Sequence, residues 1–267
     1  MTLKNSFKWD ANDYARHSSA QLSWANELIG KLALTGTESV LDIGCGDGKI
    51  TARIAESLPD GHISGIDSSK EMIELAKKTF PEKYYPNLSF VMMDARSISF
   101  SNRFDMIFST AALHWITDHK PVLKKIKNCI KPGGHILLQM GGKGNADAIL
   151  TLLGTMIKEH PWQSYFQNFS FAYGFHDVEI YTSWLKQAGL VPQRVELIPK
   201  VMSYDDRQGL AGWIRTTWLP YIDRIPTHLK KNFVAQLVDT YIACHPFDKK
   251  GKIHVDMVRL EVEASSQ

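Results

Sequence analysis

Long apolar runs are missing from this chain. None of its 267 residues falls in a stretch approaching the roughly 18 to 20 apolar residues that cross a bilayer. The polar opening MTLKNSFKWDANDYARH has no apolar centre of the kind a secretory signal carries, so a cytoplasmic protein is expected. Cysteine is scarce: Cys45, Cys129 and Cys244 stand far apart, without CxxC spacing. That excludes a disulfide framework and gives no ground for a metal site, and it fits a reducing compartment. Charge of one sign is not in excess either, since 31 basic residues face 28 acidic ones for a net charge of +3. With the lysines scattered, neither nucleic acid nor membrane is an expected partner, and a small molecule is. Internal repeats, low-complexity tracts and Pro/Gly/Ser linkers are absent too, so a single domain over 1–267 is expected.

What is present is alternation. Strand-like runs SVLDIG (39–44), HISGID (62–67), LSFVMMD (88–94), FDMIFS (104–109) and HILLQM (135–140) are separated by segments with apolar residues at helical spacing. Such segments carry Ile50, Ile54 and Leu58, then Met72, Leu75 and Ala76, then Val122, Leu123, Ile126 and Ile130. The order implies βαβ units and a parallel sheet, an α/β fold. Leu22, Ala25, Ile29 and Leu32 predict a helix ahead of the first strand. After Met140, helices are expected near 146–159 and 177–188, divided by the aromatic stretch WQSYFQNFSFAYGF (162–175), which reads as a lid or pocket wall or as simple packing. A strand is expected at 193–198, and a last one at 252–261 whose alternation suggests a sheet edge. The boundaries are N-terminal lid helices over 1–35, a ligand-binding core over 36–140, the rest of the sheet with helices over 141–204, and a helical cap over 205–250 before the last strand.

Asp42-Ile43-Gly44-Cys45-Gly46-Asp47-Gly48 joins a strand to a helix, where glycines allow a tight turn and let backbone amides approach a ligand. Lys49 stands where the dinucleotide fingerprint has its third glycine, which weakens an NAD assignment. Asp42 and Asp47 flanking the loop disfavour a pyrophosphate and favour a cationic or polyhydroxyl ligand, Asp42 suiting a charged amino acid moiety. Asp67 closes the second strand, where a carboxylate can accept from two ribose hydroxyls, and Asp94 closes the third, where it can accept from an adenine amine.

Through VLDIGCGDGKIT, GIDSSKEMI, MMDAR, FDMIFSTAALHWI and IKPGGHILL, in this order, the chain resembles the class I S-adenosylmethionine (SAM) dependent methyltransferases. The resemblance implies a Rossmann-like, seven-stranded, mostly parallel sheet with a helical cap, and SAM as cofactor. It implies a cofactor site of Asp42, Gly44, Cys45, Gly46, Asp67, Ser68, Met72, Asp94, Ala95 and Ala111. Over nearly the full length the chain also resembles the branch of trans-aconitate and juvenile hormone acid methyltransferases, through WDANDYARHSSAQ, LHWITDH and GWIRTTWLPYIDRIPTHLKKNF. That branch methylates carboxylates. Gln21 and Trp115 occupy the places that hold the substrate carboxylate in the juvenile hormone enzymes, while LHW replaces the LQW of the trans-aconitate enzymes.

A carboxylate is ionised at neutral pH and needs no general base, so positioning suffices. The candidate catalytic residues are Gln21, His114 and Trp115, and the candidate substrate contacts are Tyr14, Tyr173, Trp213, Arg215 and Tyr221. Arg215 also reads as a solvated helix charge, and Trp213 and Trp218 as cap core. The alternatives are a hydroxyl, amine or carbon acceptor with His114 as base, or a SAM-binding protein without catalysis. STAALHW lacks the Asn/Asp-Pro-Pro-aromatic motif of adenine and glutamine N-methyltransferases, and no Pro-Cys nucleophile for cytosine chemistry is present.

Overall fold

The computed structural model describes residues 19–267, with side chains from residue 23 onward. The lid expected over 5–20, with Tyr14, lies outside the described residues, as does the side chain of Gln21. In chain order the elements are α1 (Ser19–Ile29), β1 (Ser39–Ile43), α2 (Lys49–Ala55), β2 (His62–Asp67), α3 (Lys70–Thr79), β3 (Leu88–Met92), β4 (Phe104–Thr110), α4 (Lys120–Cys129) and β5 (Ile130–Gly141). Then come α5 (Asp147–Met156), α6 (Val178–Gln187), β6 (Leu190–Tyr204), α7 (Arg207–Thr217), α8 (Leu219–Ile222), α9 (Thr227–Cys244) and β7 (Ile253–Ser266). The described residues form two compact units, one of 19–143, 173–198 and 259–267, the other of 144–172 and 199–258.

One seven-stranded sheet has the order β3-β2-β1-β4-β5-β7-β6. From β3 to β5 every pairing is parallel, and β7 runs antiparallel to β5, from His135 opposite Ser265 to Gly141 opposite Arg259. The sheet is therefore the Rossmann-like, mostly parallel one that the motifs imply. Successive side chains of β1 point to opposite faces, so Val40 enters a core cluster with Leu28, Ile54, Ile73 and Phe108. Leu41 and Ile43 enter the other, with Ile107, Leu123, Ile126, Tyr181 and Leu185. Helices α1, α2 and α3 thus cover one face and α4 and α6 the other, which is why β1 is buried along nearly its whole length. Each such buried aliphatic side chain stabilises the unit by about 1.5 to 3 kcal/mol. Local residues start the helices: Ser69 accepts from the Met72 N–H at 3.2 Å and Asp177 from the Ile180 N–H at 3.0 Å.

The last strand is not the sheet edge its alternation suggested, because β7 lies between β5 and β6 and the edge is β6. Two of its polar positions, Arg259 and Glu261, are buried inside the protein instead of facing water. Glu261 is fully buried and accepts from Lys31 Nζ at 2.5 Å, from Gln139 Nε2 at 2.9 Å and from Arg194. A charge compensated in this way mimics the pattern of a solvated one. Both late strands also run longer than the alternation indicates.

In the second unit, α7 starts on Asp206, which accepts from the Gly209 N–H at 2.8 Å, and α5, α7, α8 and α9 bury Leu153, Trp213, Trp218, Tyr221, Phe233 and Tyr241. The aromatic stretch is split at 172–173. Trp162 donates to Gln236 Oε1 at 2.8 Å, Phe166 stacks on Phe233 and Phe169 meets Tyr221, all within this unit. Tyr173 and Phe175 belong to the sheet unit.

Candidate functional site

Where β1 ends, the N–H groups of Gly44 and Cys45 both donate to the Ile66 carbonyl, at 2.7 and 3.0 Å, and tie the glycine loop to β2. Gly44 has φ +78°, and a Cβ built there would lie 2.1 Å from that of Ala112, so only glycine lets the loop lie against the turn after β4. Ala111, in that turn, also has positive φ, at 53°. Gly46 has φ +52° and open space where a side chain would be. Its N–H donates to Asp67 Oδ2 at 3.0 Å, and Asp67 Oδ1 accepts from the Ser69 N–H at 2.8 Å. The Asp67 carboxylate at the end of β2 thus braces the loop and stands beside its open side.

Asp42 is buried and accepts from the Thr51 hydroxyl at 2.7 Å. Burial, with repulsion from Asp67, pushes its carboxyl up to about 7. Burial also raises Asp67, and it raises the Cys45 thiol, with Asp42, Asp67 and Asp47 adding to the effect. Asp47 pairs with Lys49 at 2.8 Å. The loop is a concentration of carboxylates that a cationic ligand relieves and a pyrophosphate worsens. Ser68 is exposed, and Met72 is buried on α3. After β3, Asp94 is held by Arg96, whose Nε and Nη2 reach Oδ1 and Oδ2 at 2.9 and 2.5 Å, and Arg96 keeps its carboxyl below the ordinary range. Ala95 follows, half-buried.

The strands from β4 onward build a different corner. His114 and Trp115 lie in a 3-10 turn, Leu113–Trp115, just after β4. The His114 carbonyl accepts from the Gly174 N–H at 2.9 Å, which brings in Tyr173 and Phe175. Trp115 and Tyr173 sit 5.1 Å apart between ring centres, and His114 is 5.9 Å from Phe175. His114 is buried, and its Nδ1 accepts from the Gly141 N–H at 3.4 Å. Burial, with Arg259 and His119 nearby, holds the imidazole well below its ordinary value, so it is neutral. A neutral ring that accepts at Nδ1 carries its proton on Nε2 and is there a donor.

Of the remaining candidates, Trp213 and Tyr221 are buried in the second unit and Arg215 is exposed on α7. Among the described residues the Trp213 Nε1 has no hydrogen-bond partner. The residue missed from the sequence is Arg259, a buried arginine, 5% exposed, whose guanidinium lies 4.5 Å from the Trp24 ring centre. The signal for it is an arginine inside an apolar alternation of the kind an edge strand shows.

Residues 34–189 match the family described as a methyltransferase domain. The chain belongs to the methyltransferase-domain family. A trans-aconitate 2-methyltransferase of Rhodopseudomonas palustris (strain BisB5) is 24% identical over 259 residues, covering 94% of this chain and 96% of its own. Among solved structures, the YcgJ protein of Bacillus subtilis superposes with a TM-score of 0.65 at 17% identity, over 92% of this chain and 99% of its own. A geranyl diphosphate methyltransferase in complex with SAM gives 0.56 at 12%, over 92% and 79%. This methyltransferase is SAM-dependent, and the glycine loop suits the cofactor: SAM brings an ammonium and a sulfonium to a carboxylate-rich loop, with open space at Gly46.

Proposed function

We propose that this methyltransferase acts on a small-molecule carboxylic acid and forms its methyl ester. The observation that carries the proposal is the hydrogen bond from the Gly141 N–H to His114 Nδ1. It spends the lone pair a general base would use and leaves Nε2–H as a donor, an arrangement suited to an anion that has no proton to lose. SAM supplies an electrophilic methyl group. A carboxylate acceptor would take that methyl group on oxygen as the carbon–sulfur bond broke toward sulfur, with no proton to be removed by this chain's residues. Trp115, Tyr173 and Phe175 provide an apolar wall that excludes water and holds the oxygen in line. The trans-aconitate relative supports an acid as acceptor. The partner is then a small molecule, with neither nucleic acid nor membrane involved, and the cytoplasm supplies both SAM and acid. No helix among the described residues is long and apolar enough to cross a membrane.

The test is an assay of methyl esters formed from polycarboxylates and medium-chain acids, beside hydroxyl and amine acceptors. Ester formation is expected, with a His114→Gln variant, which keeps a donor, retaining most of the turnover. Methylation of hydroxyl or amine acceptors alone, with a rate that collapses in His114→Gln, would overturn the proposal in favour of a histidine base.

A further inference from the structure

We infer that His119 is a positioning residue for methyl transfer, fixing with Tyr181 the turn that carries His114 and Trp115; the inference rests on the placement of those two residues at the acceptor proposed above. The turn after β4 is anchored at both ends. At its start the Ala111 N–H donates to the Gln139 carbonyl at 2.9 Å and ties it to β5, while Ala112 lies against Gly44 of the glycine loop. At its far end the Ile116 carbonyl accepts from His119 Nε2 at 2.9 Å. A carbonyl can only accept, so Nε2 carries the proton. Nδ1 of the neutral ring is then the acceptor, and the Tyr181 hydroxyl donates to it at 3.3 Å.

His119 and Tyr181 are both fully buried. Burial, with His176 adding to it, holds the imidazole down at about 4, and burial raises the phenol, so both groups stay uncharged at neutral pH and keep these roles. Tyr181 stands on α6, so the far end of the turn is set against a helix that comes much later in the chain. The segment that bears the aromatic wall packs on the same hydrogen bond. Gly174, whose N–H donates to the His114 carbonyl, runs so close that a Cβ there would lie 2.1 Å from the Ile116 oxygen and 2.9 Å from His119 Nε2. Tyr173 and Phe175 flank this glycine, and the Tyr173 ring centre is 5.1 Å from that of Trp115. A shift of the His119–Ile116 bond therefore moves Trp115 and the wall together. The glycine loop keeps its own bonds to Ile66 and Asp67. Methyl transfer depends on near-attack geometry, where a misplacement of about 1 Å costs on the order of a hundred-fold in rate.

The experiment uses the full-length protein and, as acceptor, whichever acid, alcohol or amine of the assay above is turned over fastest, so a failure of ester formation leaves it standing. His119→Phe, which keeps a flat ring but neither hydrogen bond, is expected to lower kcat by about ten-fold or more, with the KM for SAM unchanged within about two-fold. His119→Gln, whose amide both donates and accepts, should recover most of the rate. Tyr181→Phe, which removes one oxygen atom, should lower kcat by about five-fold. Should His119→Phe fail to fold, or no acceptor be turned over, two spectra decide. Nitrogen NMR of the wild type is expected to find His119 protonated on Nε2 and bare on Nδ1. In protein labelled with 5-fluorotryptophan and loaded with S-adenosylhomocysteine, the Trp115 fluorine resonance is expected to move in Tyr181→Phe while that of Trp24 stays. Unchanged kcat in both phenylalanine variants, a loss that glutamine does not recover, or a KM for SAM that worsens in step with kcat overturns the inference. So does a proton on Nδ1 or an unmoved Trp115 resonance.

Discussion

Compared along the sheet edge where the parallel strands end, the β1–β2 corner and the β5–β7 corner are electrostatic opposites. Asp42, Asp47 and Asp67 gather at the first, with Asp42 buried and its carboxyl pushed up to about 7. Arg259 and a neutral His114 stand at the second among aromatic rings. At about 4.8 Å per strand, the four steps from β2 to β7 separate them by about 19 Å. The first corner favours a cationic ligand and the second an anionic one. Bringing opposite charges to opposite ends also keeps Arg259 from neutralising the carboxylates of the glycine loop.

The comparison breaks most readily at Asp42. In the folded chain without ligand its carboxyl holds a proton up to about pH 7, whereas in the unfolded chain it ionises near the ordinary 3.8. Between those values the folded state binds the extra proton, so stability falls as pH rises, by on the order of 4 kcal/mol in all. Thermal unfolding of ligand-free protein from pH 4 to 8 should show that slope, and Asp42→Asn should flatten it. Equal slopes would mean the acidic corner carries no strain of charge. In the presence of SAM the ligand's ammonium favours the ionised form, so SAM affinity should rise with pH up to about 7.

The next effect separates the two strand-end carboxylates. Asp67→Ala should weaken SAM binding by about 3 kcal/mol, or more than a hundred-fold, since it removes acceptors for the ribose and the brace on Gly46. Asp94 is already engaged by Arg96, and its substitution by alanine should cost only about 1 kcal/mol. Calorimetric affinities in the reverse order would sink the assignment of ribose to β2.

The smaller of the two expected effects on stability tests the loop itself. Gly46→Ala meets no neighbouring atom, so it should lower stability by only about 1 to 2 kcal/mol through its positive φ. SAM binding should fall much further, because the methyl would occupy the open space beside Asp67. A variant that binds SAM normally would show that the ligand does not enter there.

The cofactor corner was legible in the sequence because its grammar is local. A strand, a glycine loop and a helix lie within one short segment, and Asp67 and Asp94 are recognised by ending strands. Their neighbours were less plain: Asp94-Ala95-Arg96 spells out an ion pair within three residues, yet strand-end position alone does not reveal it. The long aromatic stretch gave no sign that its first part packs with α9 and its last part with His114, since a run of rings has no period that marks a change of partner.

By itself the sequence determined the α/β order, the positions of the parallel strands, the acidic glycine loop and the likeness to SAM-dependent enzymes. Each follows from hydrophobic period and residue type at close range. Only the tertiary structure decided that β7 enters between β5 and β6, which turns an apparent edge into a buried strand and sets Arg259 opposite Gly141. It alone decided the protonation of Asp42 and the tautomer of His114, because both depend on burial and on partners brought together from distant parts of the chain.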